Sequence, residues 1–297
     1  MDIQDTTKVP TGLSLYTLAA QRAAREVIYS YSTSFGLATR LLGKQFQGHV
    51  ENIYALVRVA DEIVDGSAAE AQKISAELNP EKLLAEFEAE TYKAMQTGYS
   101  TNLVIHAFAQ TAREVGIQKD IVEPFFYSMR QDLTEREHDQ VSFERYVYGS
   151  AEVVGLMCLQ VFIKGGNYSP SQLEALTKGA RALGSAFQKV NFLRDLSADF
   201  KRLGRSYFPG VDVNNFDEST KQRLVADIDV DLATSAASLP LLPRPARRAV
   251  AAAQLLFAKL NREIQKTSAE DLINRRISVG NFQKLNLLIR AAIGAKA

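Results

Sequence analysis

The sequence predicts an all-α protein, and three observations lead to that prediction. Apolar residues recur at spacings of three and four over most of the 297 residues, which is typical of helices that bury one face. No stretch of any length alternates apolar and polar residues as a half-buried strand would. Glycine and proline separate the periodic segments and mark turns between them. We therefore expect a flexible N-terminal arm over residues 1–12 and a single all-α domain over residues 13–297.

The first half of the chain divides into helices separated by polar breaks. Ser14 is expected to cap a first helix that runs to about Leu42. Gly43–Gln47 is expected to form a turn, and Gly66–Asn79, which is small and polar, to form a loop or flap. The other helices expected in this half span residues 48–66, 80–97, 101–116 and 119–137.

The second half begins with a long apolar helix, Phe143–Lys164, that contains several small residues. Small residues on a buried helix allow either close helix packing or room for a bulky ligand. Glycine and Ser-Pro pairs break the chain after it. Further helices are expected over residues 171–202, 219–237, 244–267, 269–275 and 279–294, with Gly204–Ser219 as a loop.

Composition narrows the functional class. Apolar residues make up 46% of the chain and charged residues 23%, which is ordinary for a globular protein. The net charge of +1 argues against a general nucleic-acid binder. Cys158 is the single cysteine, so no internal disulfide is expected and a reducing, cytoplasmic compartment fits. The N-terminus has no apolar signal region, and no uninterrupted apolar run approaches the ~20 residues of a membrane span.

Two stretches combine an apolar helix surface with a polar stripe. Each stripe consists of residues at spacings of three and four, or multiples of them, which share one helix face. The stripe nearer the N-terminus consists of Arg58, Asp61 and Asp65. The other consists of Gln188, Asn191, Asp195 and Asp199. A solvated helix face would explain one such Asp pair, but two pairs on largely apolar helices predict a shared cavity. Carboxylate and amide oxygens suit a hard cation, Mg²⁺ or alternatively Mn²⁺, that bridges protein and substrate phosphates.

Five motifs together resemble a known family. They are Ser32-Thr33-Ser34-Phe35, Arg58-x-x-Asp61-x-x-x-Asp65, Tyr146–Gly155, Gln188-x-x-Asn191-x-x-Arg194-Asp195-x-x-x-Asp199 and Gly204–Pro209, with Arg275-Arg276 in the last third. The chain resembles the squalene/phytoene synthase family of head-to-head trans-prenyl synthases, and the segment 146–157 is most similar to bacterial phytoene synthases. The resemblance implies an isoprenoid-synthase-type helical bundle around a central cavity.

The resemblance also implies roles for individual residues. The metal ligands would be Asp61, Asp65, Asn191, Asp195 and Asp199, and the arginines on the diphosphates would be Arg58, Arg194, Arg205 and Arg276. Tyr146 and Gln188 would lie near the reacting diphosphates. Other substrate contacts would come from Ser32, Ser34, Phe35, Tyr54, Ala151 and Tyr207. Aromatic faces such as Phe35, Tyr54 and Phe187 could stabilise a carbocation.

The implied reaction joins two prenyl diphosphates. One loses its diphosphate, the second attacks the cation, and the resulting cyclopropylcarbinyl diphosphate ionises again, rearranges and loses a proton to give phytoene. The chain-length limit is expected where Ser150, Ala151 and Gly155 face Ser34 and Phe35. Because the sequence has no dinucleotide fingerprint, we expect no NADPH, although related squalene synthases use it without such a motif.

Three residues depart from the family's pattern. Glu152 stands where the family usually has Gly, and it would alter the cavity only if it faced inward. Phe257 lies near a position that is often Tyr, so a hydroxyl contact is missing there, and His138 also replaces a frequent Tyr. None of the three affects the four Asp positions, so catalytic competence is expected.

Several alternatives stay open on the sequence. A squalene or dehydrosqualene synthase would use two C15 substrates, and a catalytically silent relative would serve in assembly. A class I terpene cyclase shares the all-α, Mg-dependent logic but usually shows an Asp-rich motif plus an Asn/Ser/Glu triad, whereas here both motifs are of the Asp-x-x-x-Asp type. The scattered histidines have no zinc spacing, and Asp227–Asp231 lacks the later residues of an EF-hand. Oligomeric state is open, and release of a hydrocarbon product would suit peripheral membrane contact.

Overall fold

The structure is a computed structural model that describes residues 11–75, 77–203, 207–212, 215–274 and 277. Side chains are described for these residues except at 33–34 and 197–203. Helices dominate the described residues, which contain no β-strand beyond an isolated bridge at Glu137. The all-α prediction is therefore confirmed.

Thirteen α-helices follow one another in the described part of the chain. In order they are α1 (Gly12–Tyr31), α2 (Thr33–Thr39), α3 (Lys44–Val64), α4 (Ser67–Gln72), α5 (Pro80–Thr97), α6 (Leu103–Val115), α7 (Lys119–Thr134), α8 (Gln140–Val147), α9 (Val153–Ile163), α10 (Pro170–Leu203), α11 (Glu218–Ser238), α12 (Arg244–Lys266) and α13 (Ala269–Leu272). A π-helical turn, Tyr148–Glu152, joins α8 to α9, and a 3₁₀ turn, Leu239–Leu241, follows α11. The helix expected over residues 279–294 lies outside the described residues.

The expected first helix is two helices, and Ser32 separates them. The backbone of Ser32 is extended (φ −142°, ψ 103°), and its hydroxyl accepts a hydrogen bond from the Phe35 N–H. That bond satisfies one free donor at the start of α2. Ser14 is likewise not the N-cap of α1, because Thr11 occupies that position and Ser14 completes a capping box with it.

Two expected loops are partly helical. α3 begins at Lys44, directly after Gly43, whose φ of 74° is accessible to glycine at little cost. The expected loop Gly66–Asn79 contains α4. Glu62 caps this short helix, since its carboxylate accepts a hydrogen bond from the Ser67 N–H at 2.8 Å.

The buried apolar side chains form two main clusters that meet along the central helices. One cluster lies between α3, α5, α6, α7 and α9, and its largest fully buried side chains include Phe108, Phe125 and Phe126. The other lies between α8, α10, α11 and α12 and includes Val190 and Leu193. Each fully buried side chain of this size contributes about 1.5–3 kcal/mol relative to leaving it exposed, so both Asp-bearing helices, α3 and α10, are held firmly by their apolar faces.

Glycines allow α10 to approach the helix segment 148–163 very closely. A Cβ atom added to Gly155 would lie 2.5 Å from the Ala180 carbonyl oxygen, and one added to Gly184 would lie 2.5 Å from the Ala151 carbonyl oxygen. These pairs show that the two segments run antiparallel. Gly155 is therefore required for helix packing, even though it also lies on the wall of the cavity described below.

One described helical stretch, Gln140–Ile163, is long and apolar enough to cross a membrane by length and composition, and half of its most apolar window is buried inside the protein. This stretch is α8, the π turn and α9. The π turn and α9 line the cavity and pack on α7 and α10, and α8 packs on α7. Its apolar character is therefore accounted for by burial and by the cavity wall.

Candidate active site

The central feature is an elongated cavity of about 300 Å³. Its walls come from α2, α3, the π turn, α9, α10 and the segment from α11 to α12. One end is polar and carries Tyr54, Gln188 and Asn191, whereas the far end is lined by apolar side chains that include Leu159, Phe162 and Leu176. Asp61 and Asp195 lie one helical turn beyond the last wall residues of their helices, so the polar end faces both Asp motifs.

The length of the cavity can be measured along helix α10. Its wall residues recur at spacings of three and four from Leu176 to Asn191, a separation of fifteen residues. At about 1.5 Å per residue these fifteen residues span about 22 Å. The expected end of the cavity at Ser150, Ala151 and Gly155 is therefore wrong, because the wall continues past them to Cys158, Leu159 and Phe162.

Each of the two leading Asp carboxylates is paired with an arginine of its own helix. Arg58 Nη1 donates to Asp61 Oδ2 at 2.6 Å and also pairs with Glu62. Arg194 Nη2 donates to Asp195 Oδ2 at 2.5 Å. The guanidinium of Arg58 also lies over the Tyr31 ring, 4.3 Å from its centroid. The four charged groups are between 19% and 39% exposed, so solvent screens these pairs and they add little to stability.

Glu62 is a further acid at this end that the sequence motifs did not mark. Burial would raise the pKa of Glu62, but the Ser67 N–H and Arg58 outweigh burial and lower it. Glu62 therefore stays ionised and fixes Arg58 beside Asp61. Its position four residues after Arg58, on the same helix face, was the available signal.

The donor set at the polar end suits a divalent cation, although the described side chains contain no group of three His, Cys, Asp or Glu arranged to hold one. The Asp199 side chain is outside that description. Asp61 and Asp195 remain 39% and 19% exposed, and the Asn191 amide lies on the cavity wall. Carboxylate and amide oxygens are the ligands that Mg²⁺ takes together with water and phosphate, so the chemistry of these residues fits the metal.

Four aromatic rings crowd the boundary between the polar end and the apolar length. Phe35 lies 6.2 Å from Tyr54 and 5.8 Å from Phe187 between ring centroids. Phe257 stacks on Phe187 at 3.8 Å and is buried behind it. Burial raises the pKa of Tyr54 although Arg58 opposes the rise, so its hydroxyl keeps its proton at neutral pH.

Comparison with known proteins identifies relatives of this chain. A family model described as squalene/phytoene synthase matches residues 28–283. The chain belongs to the squalene/phytoene synthase family. It is 26% identical over 283 residues to a 15-cis-phytoene synthase of Enterobacter agglomerans, covering 88% of this chain and 91% of that protein. It is 27% identical over 299 residues to a phytoene synthase of Rhodobacter capsulatus, covering 94% and 83%.

Solved structures confirm the fold. A dehydrosqualene synthase in complex with ligand superposes with a TM-score of 0.75 at 21% identity, covering 93% of this chain and 96% of that one. A squalene synthase from Alicyclobacillus acidocaldarius gives 0.72 at 18% identity, covering 87% and 96%. Members of the squalene/phytoene synthase family are prenyltransferases, so this chain is an enzyme that joins prenyl diphosphates head to head.

The family's two tyrosines lie in a buried aromatic stack, not on the wall of the cavity. Tyr207 stacks on Phe192 at 4.1 Å, and Tyr146 lies 5.6 Å from Tyr207. Tyr146 donates a hydrogen bond to Asp132 Oδ1 at 2.7 Å, and burial, followed by the charge of Asp132, raises its pKa. His138, one of the departures from the family, stacks on Tyr146 at 4.9 Å and so keeps the aromatic layer intact.

Asp132 is a buried acid that the sequence interpretation missed. It is 7% exposed and lies on the buried face of α7 together with Phe125 and Met129. An acidic residue in register with an apolar stripe was the signal, because buried carboxylates need partners. The charge of Asp65 also raises the pKa of Tyr146, so Asp132 and Tyr146 lie close to the first Asp motif.

The other departures from the family leave the cavity intact. Glu152 points away from the cavity and accepts a hydrogen bond from Arg181 Nε at 2.6 Å, and its side chain is 15% exposed. Phe257 fills its place by stacking, without a hydroxyl. Cys158 is on the cavity wall, and burial raises its pKa to about 12, so the thiol stays protonated and unreactive.

Apart from Tyr146 and Tyr207, which lie in the aromatic stack, the predicted site residues fall into three groups. Phe35, Tyr54, Ala151, Gln188 and Asn191 lie on the cavity wall. Arg58, Asp61, Asp65, Arg194 and Asp195 lie beyond its polar end, and Ser32 serves as the cap of α2. Arg205, Arg276 and the side chains of Ser34 and Asp199 lie outside the described residues, so their roles stay predictions.

Proposed function

We propose that this protein is a phytoene synthase that condenses two geranylgeranyl diphosphates, through a cyclopropylcarbinyl diphosphate, to phytoene. The observation that carries the proposal is the cavity, which is polar at the Asp motifs and apolar along the rest of its length. The bacterial phytoene synthases among its relatives add support.

The length of the cavity favours the C20 substrate. An isoprene unit adds four main-chain bonds, or roughly 5 Å of extended chain when carbon–carbon bonds are about 1.5 Å long. A C15 tail of three units is then roughly 15 Å long and a C20 tail of four units roughly 20 Å. The cavity wall along α10, about 22 Å from Asn191 to Leu176, accommodates the C20 tail and leaves about one unit of empty apolar space behind a C15 tail.

The Asp motifs and arginines act on the leaving group. Asp61, Asp65, Asn191 and Asp195, with Asp199, would hold Mg²⁺ or Mn²⁺. The metal supplies charge neutralisation to the departing diphosphate. Arg58 and Arg194 lie at the same end and can each donate two hydrogen bonds to phosphate oxygens.

The wall residues stabilise the cation that remains when the C1–O bond breaks and shield it from water. The faces of Phe35, Tyr54 and Phe187 are close to the polar end, where cation–π contact contributes about 0.5–2 kcal/mol per ring. Phe257 holds the Phe187 ring in place from behind. The apolar wall excludes water, which directs the cation to the double bond of the second substrate. No NADPH is required for this sequence of steps.

Product analysis tests the proposal. Purified protein is incubated with Mg²⁺ and either C15 or C20 diphosphate, without NADPH, and the hydrocarbon is identified by mass. Phytoene from the C20 substrate, at a higher kcat/KM than any C15 product, is the expected result. Dehydrosqualene or squalene as the preferred product would instead establish the C15 alternative, and no product from either would point to a silent relative.

Because phytoene is a hydrocarbon, we also propose a cytoplasmic protein with peripheral membrane contact, which vesicle co-sedimentation would test.

A further inference from the structure

The far end of the cavity, around Leu176, is formed by the ends of several helices. Phe46, near the start of α3, packs against Phe162 with ring centroids 5.6 Å apart. Ser238 ends α11, and a Cβ atom added to Gly179 would lie 1.9 Å from its hydroxyl. The start of α3 and the connection from α11 to α12 therefore lie at the level of the far end.

The same two segments carry a group of cations. A Cβ atom added to Gly43 would lie 3.8 Å from the Pro245 Cβ, so α3 and α12 begin side by side. Five exposed cationic residues flank this contact in the sequence, and we call them the basic end: Arg40, Lys44, Arg244, Arg247 and Arg248. The basic end is thus the outer surface next to the apolar end of the cavity.

The charge of the basic end is not balanced by acids of its own segments. Residues 27–50 and 232–262 contain no Asp or Glu, although the whole chain has 34 of them. Arg247 Nη2 donates to the Leu242 carbonyl at 3.0 Å, and the Arg40 guanidinium lies 5.1 Å from the centre of the Tyr29 ring. These contacts hold two of the cations in place without neutralising them. Positive charge is therefore concentrated at one end of a chain whose net charge is only +1.

Three of these cations are placed where the fold itself disfavours them. Lys44 is the first residue of α3, and Arg244 and Arg247 lie in the first turn of α12. The N-terminus of a helix carries a partial positive charge, so a cation there is destabilising. Neither first turn contains an acidic residue that would offset the effect. Helix stability therefore does not account for the cations, whereas an anionic partner outside the chain does.

The surroundings of the basic end indicate the class of partner. Leu173 is 38% exposed and lies three residues before Leu176 of the cavity wall, so an exposed apolar side chain accompanies the cations. An anionic bilayer accepts both, because its headgroups attract Lys and Arg and its interior accepts apolar side chains. A nucleic acid would use the charge alone. The product proposed above is a hydrocarbon, and its cavity has its apolar end at this surface.

We propose that the basic end docks on an anionic membrane surface, so that the apolar end of the cavity faces the bilayer. This inference rests on the proposed function and adds to the membrane contact stated there the surface that makes it and the charge of the lipid. Each Lys or Arg near an anionic leaflet corresponds to about a fivefold gain in membrane partitioning. Loss of three of them should therefore weaken binding about 100-fold at low salt, and less at high salt, where screening weakens the attraction.

The test is co-sedimentation of the purified full chain with vesicles of phosphatidylcholine alone or of an equimolar mixture with phosphatidylglycerol. We expect wild type to bind the mixed vesicles in a salt-sensitive manner and to bind phosphatidylcholine vesicles weakly. The triple variant Lys44→Gln/Arg244→Gln/Arg248→Gln should lose at least tenfold in binding to the mixed vesicles. Its melting temperature should not fall, because two of the three changes remove a cation from a helix N-terminus.

A matched control removes the same amount of charge from other parts of the surface. Lys82→Gln/Arg223→Gln/Arg262→Gln changes three exposed cations of α5, α11 and α12, and it should bind the mixed vesicles as wild type does. An equal loss in both triple variants would show that only net charge matters and would refute the basic end as the contact. Equally tight binding of wild type to both kinds of vesicle would also refute it.

Further outcomes separate the docking surface from the proposed function. Hydrocarbon formation in detergent solution should be the same in wild type and both triple variants. If wild type binds the mixed vesicles but forms no hydrocarbon, the proposed function fails and the vesicle result still decides the docking surface. If wild type forms hydrocarbon but sediments with neither kind of vesicle, the docking surface is refuted and the function stands. Binding of polyglutamate through the same cations, without binding to vesicles, would identify an acidic protein as the partner and would likewise refute the bilayer.

Discussion

Lengthening one wall residue of α10 should distinguish the two substrate lengths. Ala180 lies eleven residues before Asn191 on the cavity wall, which places it about 16 Å along the cavity. A C15 tail of roughly 15 Å ends just short of Ala180, whereas a C20 tail of roughly 20 Å must pass it. Ala180→Leu should therefore obstruct the C20 substrate and spare the C15 substrate.

The size of the effect follows from overpacking. Forcing extra methyl and methylene groups against a filled site costs about 1–3 kcal/mol, and each 1.36 kcal/mol is a factor of ten in rate. We expect kcat/KM for the C20 substrate to fall about 5- to 150-fold, with less than a twofold change for the C15 substrate. Because the new side chain enters an existing cavity, the melting temperature should stay close to that of wild type.

Ala151→Leu is the matched control. Ala151 faces Gly184, seven residues before Asn191, so it lies only about 10 Å along the cavity. Both tails pass that level, and both substrates should lose kcat/KM to a similar degree. The assay is steady-state kinetics with C15 and C20 diphosphates for the two variants and wild type. An equal loss on both substrates in Ala180→Leu, or undiminished C20 turnover, would refute the depth assignment.

Three further predictions concern the polar end. Asp61→Asn and Asp195→Asn should each abolish Mg²⁺-dependent hydrocarbon formation with little change in melting temperature, because the partly exposed ion pairs with Arg58 and Arg194 add little to stability. Near-wild-type product from both variants would rule out metal binding at these positions. Phe35→Ala should change rate or product ratio more than stability, since Phe35 is a wall residue, and a large fall in melting temperature with unchanged kinetics would make it a packing residue only. The pKa of Glu62 is lowered in the folded protein. Above pH 4.5, the ordinary glutamate pKa, the unfolding free energy of wild type should therefore exceed that of Glu62→Gln, and this difference should be lost as the pH falls through the lowered pKa of the folded state. A difference in unfolding free energy that persists in acid would exclude the ionic contribution.

Helix positions and the Asp motifs were predictable because both depend on local spacing. The stripe from Gln188 to Asp195 follows directly from the helical period, and α10 places it at the polar end of the cavity. The break at Ser32 was missed because a capping serine and a serine within a helix look alike until the φ/ψ of the residue is known. The π turn was missed because it changes the helical period by one residue, and Gly149 within it is equally consistent with close packing of a regular helix.

The depth of the cavity could not be predicted because distant segments form its far end. Leu239, Leu242 and Val250 lie on that part of the wall, and no family motif or spacing rule relates them to α10. The small residues at Gly155 and Gly184 were equally ambiguous. Their true constraint is the backbone of the neighbouring helix, and that neighbour is known only once the antiparallel pairing is established.

The arginine–aspartate pairs of α3 and α10 have a consequence for the order in which ligands act. Arg58 and Arg194 are occupied by the same carboxylates that would ligate a divalent cation. A cation that takes Asp61 and Asp195 therefore frees the Arg194 guanidinium and one side of the Arg58 guanidinium, which Glu62 still holds in place, at the site where a diphosphate arrives. Metal and diphosphate would then strengthen each other's binding, and by thermodynamic linkage the coupling free energy is the same whichever binds first.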